Sequence, residues 1–365
     1  MKICYLADIN SAHTHKWLNY FTKKGYDIHV ISLGNGEYEG VKVHSLDIQD
    51  SVMKNTSDKR KLGYLKKIRR IKELVNEINP DILHAHYASS YGLLGALTNY
   101  HPYIISVWGS DVYDFPIKSP IHKYIIKRNL KKADYILSTS NVMKLETEKY
   151  TNKNIEVTPF GVDIKKFVPN KIEKDEIVIG TIKTLEEKYG IQYLVKSFKE
   201  IKDRNKEVNL KLRIGGKGSQ QQYLKNLCKE LEIQDDVAFL GFVNPDDVIK
   251  EFQNFDIAVF PSTLDSESFG VAVVEAEACG TPVVVSNVGG LMESSKPNVT
   301  SLVVEKGSVE DLAEKIDVLV KDKELRITMG KAARKFVEDN YSLEDNFNDV
   351  DKIYRSILNK AHSNK

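Results

Sequence analysis

Short apolar runs alternate with longer amphipathic ones along almost the whole chain, and no other feature constrains the fold as much. Ile3–Ile9, Ile28–Ser32, Val41–Leu46, Asp81–Ala85, Tyr103–Val107 and Tyr135–Thr139 read as buried strands. Between them, His13–Lys24 (ended by Gly25), Leu62–Ile78 (stopped by Pro80), Tyr91–Asn99 and Pro120–Lys132 read as helices. Strands that alternate with helices build βαβ units, and these need a parallel sheet covered on both faces. The pattern breaks once, over Thr158–Asp163 and Phe167–Pro169, where proline and glycine cluster. It then restarts with strands at Glu176–Lys183, Val208–Ile214, Val237–Leu240, Ile257–Phe260, Pro282–Val285 and Ser301–Val304, separated by helical stretches such as Ile191–Asp203. After Ser308 the chain reads as helical to its end. With 365 residues there is enough chain for two cores. The expected fold class is α/β: two doubly wound, Rossmann-like domains, 1–165 and 166–340, facing a cleft, with a C-terminal helical tail, 341–365, that packs back toward the first domain.

Hydrophobic residues at 41% and charged residues at 28% exclude disorder, collagen and a small disulfide scaffold. The net charge of +2 conceals a dipole. Residues 1–168 hold 25 Lys and Arg against 17 Asp and Glu, a surplus of 8, and the remaining residues hold 28 against 34, a deficit of 6. Cys4, Cys228 and Cys279 are odd in number and lack metal spacing, as expected of free thiols in a reducing compartment. The apolar run Ile3–Ala7 is too short for a signal sequence, and no stretch approaches the ~18 apolar residues of a membrane helix. A cytoplasmic protein is expected, with peripheral contact at the inner face of the membrane left open.

Open parallel sheets bind ligands beyond the carboxyl ends of their strands, so the chemistry belongs in the loops that follow strands. Glu267 lies after the strand Ile257–Phe260, Ser268-Phe269-Gly270-Val271 opens the next helix, and Glu275 lies two turns in. A helix start offers N–H groups and a positive dipole end that suit a phosphate, and glycine lets a ligand approach the backbone. A carboxylate such as Glu275 among apolar neighbours accepts well from vicinal hydroxyls, as on a ribose; solvated acids on an ordinary helix are the plainer reading. Lys183 and Lys188 flank the loop after the first strand of the second domain and can neutralise a diphosphate, unless Glu186 and Glu187 simply pair with them. In the first domain His84 and His86 share one face of a strand, with His86 at its carboxyl end. No third ligand stands near enough to favour a metal. His13 and His15 follow the first strand.

These residues resemble glycosyltransferase family 4, the retaining sugar-nucleotide-dependent enzymes of GT-B fold, over nearly the whole chain. Glu267 and Glu275 fit its Glu-x7-Glu motif, with Phe269-Gly270 and Cys279-Gly280-Thr281-Pro282-Val283 in the expected places. Phe160-Gly161-Val162-Asp163, Gly215-Gly216-Lys217-Gly218, Phe239-Leu240-Gly241-Phe242 and Pro261-Ser262 support it. The resemblance implies that Glu275 holds the donor ribose and Glu267 the donor sugar. It further implies that Lys183 and Lys188 clamp the diphosphate and that His86 reaches the sugar near its anomeric carbon. Ser268, Phe269, Gly270, Val271, Gly216 and Phe242 fall on the donor side, and His13, Trp108 and Asp111 on the acceptor side. No metal and no separate cofactor are implied; the nucleotide-sugar is a co-substrate.

The chain departs from the family pattern at Lys183, where Arg is usual, at Tyr189, inserted before Gly190, and at Trp108, where His is common. Its first loop, Asp8–Thr14, lacks the usual glycine pair. A UDP-linked donor and a hydroxyl acceptor, lipid-linked or anionic, fit the whole, in cell-surface polysaccharide or glycolipid synthesis. A non-catalytic partner subunit and a sugar-nucleotide epimerase are the alternatives. Nicotinamide binding is disfavoured, because Gln221 stands where Gly-x-Gly-x-x-Gly needs its third glycine. Lys59–Lys72 carries eight basic residues around Leu62, Leu65, Ile68 and Ile71, the pattern of a helix on an anionic membrane or of a core helix with a solvated basic face. With Tyr64 its one aromatic and no recognised module, nucleic acid is not an expected partner.

Overall fold

A computed structural model describes residues 1–48, 66–170 and 174–363, and divides the chain into two compact units. The first comprises Met1–Phe160 with Glu344–Lys365, and the second Gly161–Leu343.

The first unit runs β1 (Lys2–Leu6), α1 (Ala12–Lys23), β2 (Asp27–Ser32), β3 (Lys42–Ser45), α2 (Ile68–Ile78), β4 (Ile82–His86), α3 (Tyr91–Thr98), β5 (Tyr103–Val107), α4 (Pro120–Lys132), β6 (Tyr135–Ser138), α5 (Asn141–Glu148) and β7 (Ile155–Val157). Its seven strands are parallel in the order β3-β2-β1-β4-β5-β6-β7. β1, β4 and β5 are buried almost throughout, as strands covered on both faces must be. Ile71, Leu74, Val75 and Ile78 of α2, Leu94 of α3 and Ile126 and Leu130 of α4 join one core cluster with β-strand residues Leu6, Leu83 and Ile105. Strand β7 has only three residues, too few for any periodicity to announce it.

The second unit runs β8 (Ile177–Ile182), α6 (Ile191–Arg204), β9 (Leu210–Gly215), α7 (Gln221–Glu230), β10 (Val237–Gly241), α8 (Pro245–Asn254), β11 (Ile257–Phe260), α9 (Val271–Ala278), β12 (Val283–Ser286), α10 (Gly289–Glu293), β13 (Ser301–Val304), α11 (Val309–Lys321) and α12 (Lys323–Asn340). Its sheet is parallel in the order β10-β9-β8-β11-β12-β13. The helical stretch expected after Ser308 comprises three helices. Asp322 caps α12 by accepting from Leu325 N at 2.8 Å, and Tyr341 ends it. The last helix, α13 (Leu343–Ser363), returns the chain to the first unit from Glu344 onward.

Both strand orders reverse beside their first strand, at β1/β4 and at β8/β11, which is where doubly wound sheets open a crevice. The segments that open and close the second unit are tightly built. Gly161 has φ +66°, and a Cβ there would stand 2.8 Å from the Cα of Leu343, so only glycine fits. Val162 N donates to Tyr341 O at 2.8 Å and Leu343 N to Val162 O at 2.9 Å. Arg334 donates to Ile164 O and Ala278 O, each at 2.9 Å, which ties the Pro/Gly-rich segment to α9 and α12. The three cysteines are free and buried. Among the described residues no helix is long and apolar enough to cross a membrane.

Candidate active site

In the second unit the β8/β11 reversal opens a shallow recess lined by Thr181, Lys183, Tyr189, Ile191, Phe260, Pro261, Ser262, Glu267, Gly270, Ala272, Val273 and Leu291. Lys183 follows β8 directly, and Glu267 and Gly270 follow β11, so three of the expected residues meet here. Lys183 Nζ and Glu267 Oε2 are 2.7 Å apart, with side chains 20% and 10% exposed. Burial alone would lower the Lys183 pKa; the Glu267 carboxylate, helped by Tyr189 and Glu275, outweighs it and holds the ammonium above its usual value. Glu275 is half-buried on α9 and lies close enough to act on Lys183 electrostatically.

The local backbone explains the constellation. Gly270 caps α9 with φ +71°, and a Cβ there would stand 2.8 Å from Leu291 and from Ser294. Gly290 lies under the loop that carries Glu267: a Cβ there would fall 2.2 Å from Glu267 O and 2.6 Å from Phe269 N. Gly216, at φ +130°, would drive a Cβ to 1.9 Å from Lys183 O. Gly190 would drive one to 2.0 Å from Pro261 O. Thr263 N donates to Lys188 O at 2.9 Å, which joins the loops after β8 and β11. Glycine at these four places therefore lets two loops and a helix start converge. Gly290 and Leu291 were not expected from the sequence; a Gly-Gly pair opening a five-residue helix carries no distinctive spacing.

Tyr189 is the most informative departure. Both lysines stand against its ring, with Lys183 Nζ 4.5 Å and Lys188 Nζ 5.1 Å from the centroid. One aromatic face system thus gathers both ammonium groups. The competing pairing with Glu186 does not form: its carboxylate accepts from Ser219 N at 2.9 Å and Ser219 Oγ at 2.5 Å. The Phe269 ring is buried against Tyr341, centroids 5.3 Å apart, so this expected donor contact is a packing group and only its backbone faces the helix start. Ser268 is buried, Val271 is half-buried as the first residue of α9, and Phe242 is 66% exposed just beyond β10.

The β1/β4 reversal of the first unit is filled instead. His84 is fully buried, with Nδ1 2.6 Å from Tyr354 Oη of α13 and Nε2 2.8 Å from Ser106 Oγ. Burial pushes its pKa down to about 3. His86 is 1% exposed, and Tyr5, Trp17, His84 and Trp108 surround it with ring centroids 4.6–5.0 Å away. Neither ring nitrogen has a hydrogen-bond partner among the described residues, and burial, with smaller contributions from His84 and His13, holds its pKa well below the usual range. His86 is therefore neutral near pH 7. His13 stacks on Phe160 at 4.5 Å and meets Trp108 edge-on at 5.8 Å. His15 is tied to the loop by Ile9 O at 2.6 Å.

Asp111 corrects an expectation. It is fully buried and accepts from Ala88 N at 2.7 Å, Trp108 N at 3.2 Å and Gly109 N at 2.9 Å. Burial raises its pKa to about 6 against the opposing pull of these N–H groups. It braces the loops after β4 and β5 and has no exposed surface to offer an acceptor. The expected basic helix over Lys59–Lys72 falls largely outside the described residues. In the described part Ile71 is buried, Arg69 pairs with Glu73 at 3.1 Å, and Arg70 pairs with Glu77 at 3.2 Å.

Residues 162–336 match the family model for glycosyl transferases group 1, and residues 2–140 match that for glycosyl transferase 4-like proteins. An uncharacterized glycosyltransferase of Methanocaldococcus jannaschii is 36% identical over 187 residues, 51% of this chain and 47% of that one. N-acetyl-alpha-D-glucosaminyl L-malate synthase of Bacillus anthracis is 26% identical over 372 residues, 94% of this chain and 92% of that one. Among solved structures, HepE of Anabaena in complex with UDP superposes with a TM-score of 0.79 at 17% identity, over 98% of this chain and 100% of that one. Family models on both units, the two-sheet fold and the Glu267–Glu275 site together place this chain among the glycosyltransferases, as an enzyme of the family 4 kind with GT-B fold.

Proposed function

We propose that the protein transfers a sugar from a nucleotide-sugar, UDP-linked, to a hydroxyl acceptor with retention of anomeric configuration. The observation that carries this reading is the Lys183–Glu267 pair at the α9 start, 2.7 Å apart in a recess that Gly270 keeps open. Lys183 and Lys188, gathered on Tyr189, supply two positive charges for a diphosphate. As the glycosidic bond breaks, charge builds on the leaving phosphate, and fixed ammonium groups stabilise it where it forms. A diphosphate that takes Lys183 releases Glu267 to accept from sugar hydroxyls. Glu275 stands about one turn into α9 and suits the vicinal hydroxyls of a ribose. The lysines and the helix start meet the charge without a divalent ion. HepE is a neighbour in fold with UDP bound, which supports that base without fixing the sugar.

His86 is assigned the role of a neutral hydrogen-bonding group toward the sugar. Its depressed pKa makes it unfit as a proton donor near pH 7. With no carboxylate nucleophile recognised among the described residues of the first-unit loops, same-face attack assisted by the leaving phosphate fits retention better than a covalent intermediate. Cell-surface polysaccharide or glycolipid synthesis is the setting that fits such a transferase. Titration with UDP, GDP and their sugar conjugates, followed by a transfer assay in the presence of a chelator, tests the reading. UDP should bind, and transfer should survive chelation. The Glu275→Ala variant should lose transfer with its melting temperature unchanged; full turnover in that variant would remove the central claim. UDP-sugar conversion without any acceptor would favour an epimerase instead.

A further inference from the structure

The surface of the first unit carries a feature that sugar transfer does not use. Ile117, Ile121 and Tyr124 are 76%, 69% and 67% exposed, the three most exposed large hydrophobic residues among those described. They come from one short stretch, the tight turn Pro116–Lys118 and the start of α4, and the turn packs on the helix. They are held outward by order beneath them. Ser119 caps α4, its Oγ 2.7 Å from His122 Nδ1, and the Phe115 and His122 rings meet at 4.7 Å. Ile126, Asn129 and Leu130 anchor the opposite face of α4 in the core. At 100° per residue, Ile121, Tyr124, Arg128 and Lys131 then fall on one outward stripe.

Between Asp114 and Asp134 the charge carried by this segment is of one sign. From Phe115 to Ala133 stand Lys118, Lys123, Lys127, Arg128, Lys131 and Lys132, with no Asp or Glu. Among the described residues Lys123, Lys127, Arg128 and Lys131 make no ion pair. This contrasts with α2, whose Arg69 and Arg70 are answered by Glu73 and Glu77 and whose apolar face is in the core. An exposed apolar tip followed by unanswered basic residues suits the boundary of an anionic bilayer. Isoleucine and tyrosine enter the acyl boundary, while the long basic side chains reach phosphate headgroups. A protein partner of this chemistry would need a dense acidic surface, and the second unit's acidic surplus makes a second copy of this chain the rival to be tested.

We propose that the outer face of α4 and its preceding turn dock the protein on an anionic membrane surface, with Ile117, Ile121 and Tyr124 inserted and the row from Lys123 to Lys131 on the headgroups. Flotation of the full chain tests this, with phosphatidylcholine vesicles that contain or lack phosphatidylglycerol. The chain should float with the anionic vesicles alone, and added salt should weaken binding by screening. The triple variants Ile117→Ser/Ile121→Ser/Tyr124→Ser and Lys123→Glu/Lys127→Glu/Lys131→Glu should each weaken binding by at least about tenfold, with melting unchanged because every altered side chain is exposed. Lys66→Glu/Lys67→Glu/Lys72→Glu on and before α2 should weaken it less than either. In an Ile121→Trp variant, fluorescence should shift to the blue on binding and be quenched by brominated acyl chains. Three results would overturn the proposal: no vesicle binding, binding that only the α2 variant removes, or a dimer in sedimentation that the apolar variant dissolves while vesicles bind nothing.

Discussion

The two strand-order reversals use the same topology for opposite ends. At β1/β4 the first unit packs Tyr5, Trp17, His84, His86 and Trp108 together, and the imidazoles are stripped of water and neutral. At β8/β11 the second unit keeps a recess, and the Glu267 carboxylate holds the Lys183 ammonium above its usual pKa. Glycine makes the difference. Gly190, Gly216, Gly270 and Gly290 let backbone approach backbone around Lys183 and Glu267, where the first unit has large rings. The aromatic reversal holds unused hydrogen-bonding capacity, in the His86 nitrogens that no described residue partners. The charged one has access but is already committed to an internal pair, which a ligand must rearrange.

The largest expected consequence is in acid, and it separates the two regions directly. The His84 pKa falls from 6.5 to about 3 in the folded chain. The unfolded chain therefore binds the extra proton between those values, and stability contributed by neutral His84 is complete above pH 6.5 and lost as pH falls toward 3. A shift of that size corresponds to about 4–5 kcal/mol at the acid end. Losing it should release α13, since Tyr354 is the partner of His84 Nδ1. Hydrogen exchange measured from pH 7 to pH 4 should show β4, β5 and α13 opening before β8 and β11. Simultaneous opening of both units would break the contrast.

Next in size is the charged pair itself. Lys183→Ala removes one ammonium and leaves Glu267 in the recess without its counter-charge. Transfer should fall by about 10²–10³, and UDP affinity should fall with it. His86→Ala, in contrast, removes one neutral hydrogen-bonding group and leaves a cavity, so it should cost about 2–4 kcal/mol of stability in denaturant and lower transfer less than Lys183→Ala does. An equal loss of turnover in His86→Ala at unchanged stability would mean that the aromatic reversal takes part in chemistry as strongly as the charged one.

Much of this was legible in the sequence, for physical reasons that can be named. Both sheets followed from apolar run length, because a strand buried on two faces cannot alternate. The crossing at Gly161 followed from a proline–glycine cluster. Glu267 and Glu275 were legible because carboxylates beside a glycine at a helix start, among apolar residues, are costly without a purpose. What escaped depends on burial and partner choice, which one-dimensional spacing does not encode. Asp111 has the position of a site residue, but three backbone N–H groups claim it. The β4 pair His84 and His86 looks alike in sequence, yet one ring is fully bonded and the other is not. Lys183 was flanked by Glu186 and Glu187 as neighbours, and its partner proved to lie on a loop more than eighty residues later.

The smallest effect sharpens the comparison most, because it concerns a residue whose ring does in the charged region what rings do in the aromatic one. Tyr189 lies 4.5 Å and 5.1 Å from the two ammonium groups and lines the recess. If it positions both lysines through its π face, the hydroxyl is dispensable and the ring is not. Tyr189→Phe should bind UDP as the parent does. Tyr189→Ala frees both side chains and forfeits about 0.5–2 kcal/mol in all. UDP affinity should then fall about three- to thirtyfold, with the Lys183–Glu267 pair left to hold one lysine alone. The split between the two variants is the decisive reading. Equal losses in both would assign the effect to the hydroxyl, and no loss in either would leave the lysines positioned by Glu267 and the Thr263–Lys188 backbone bond.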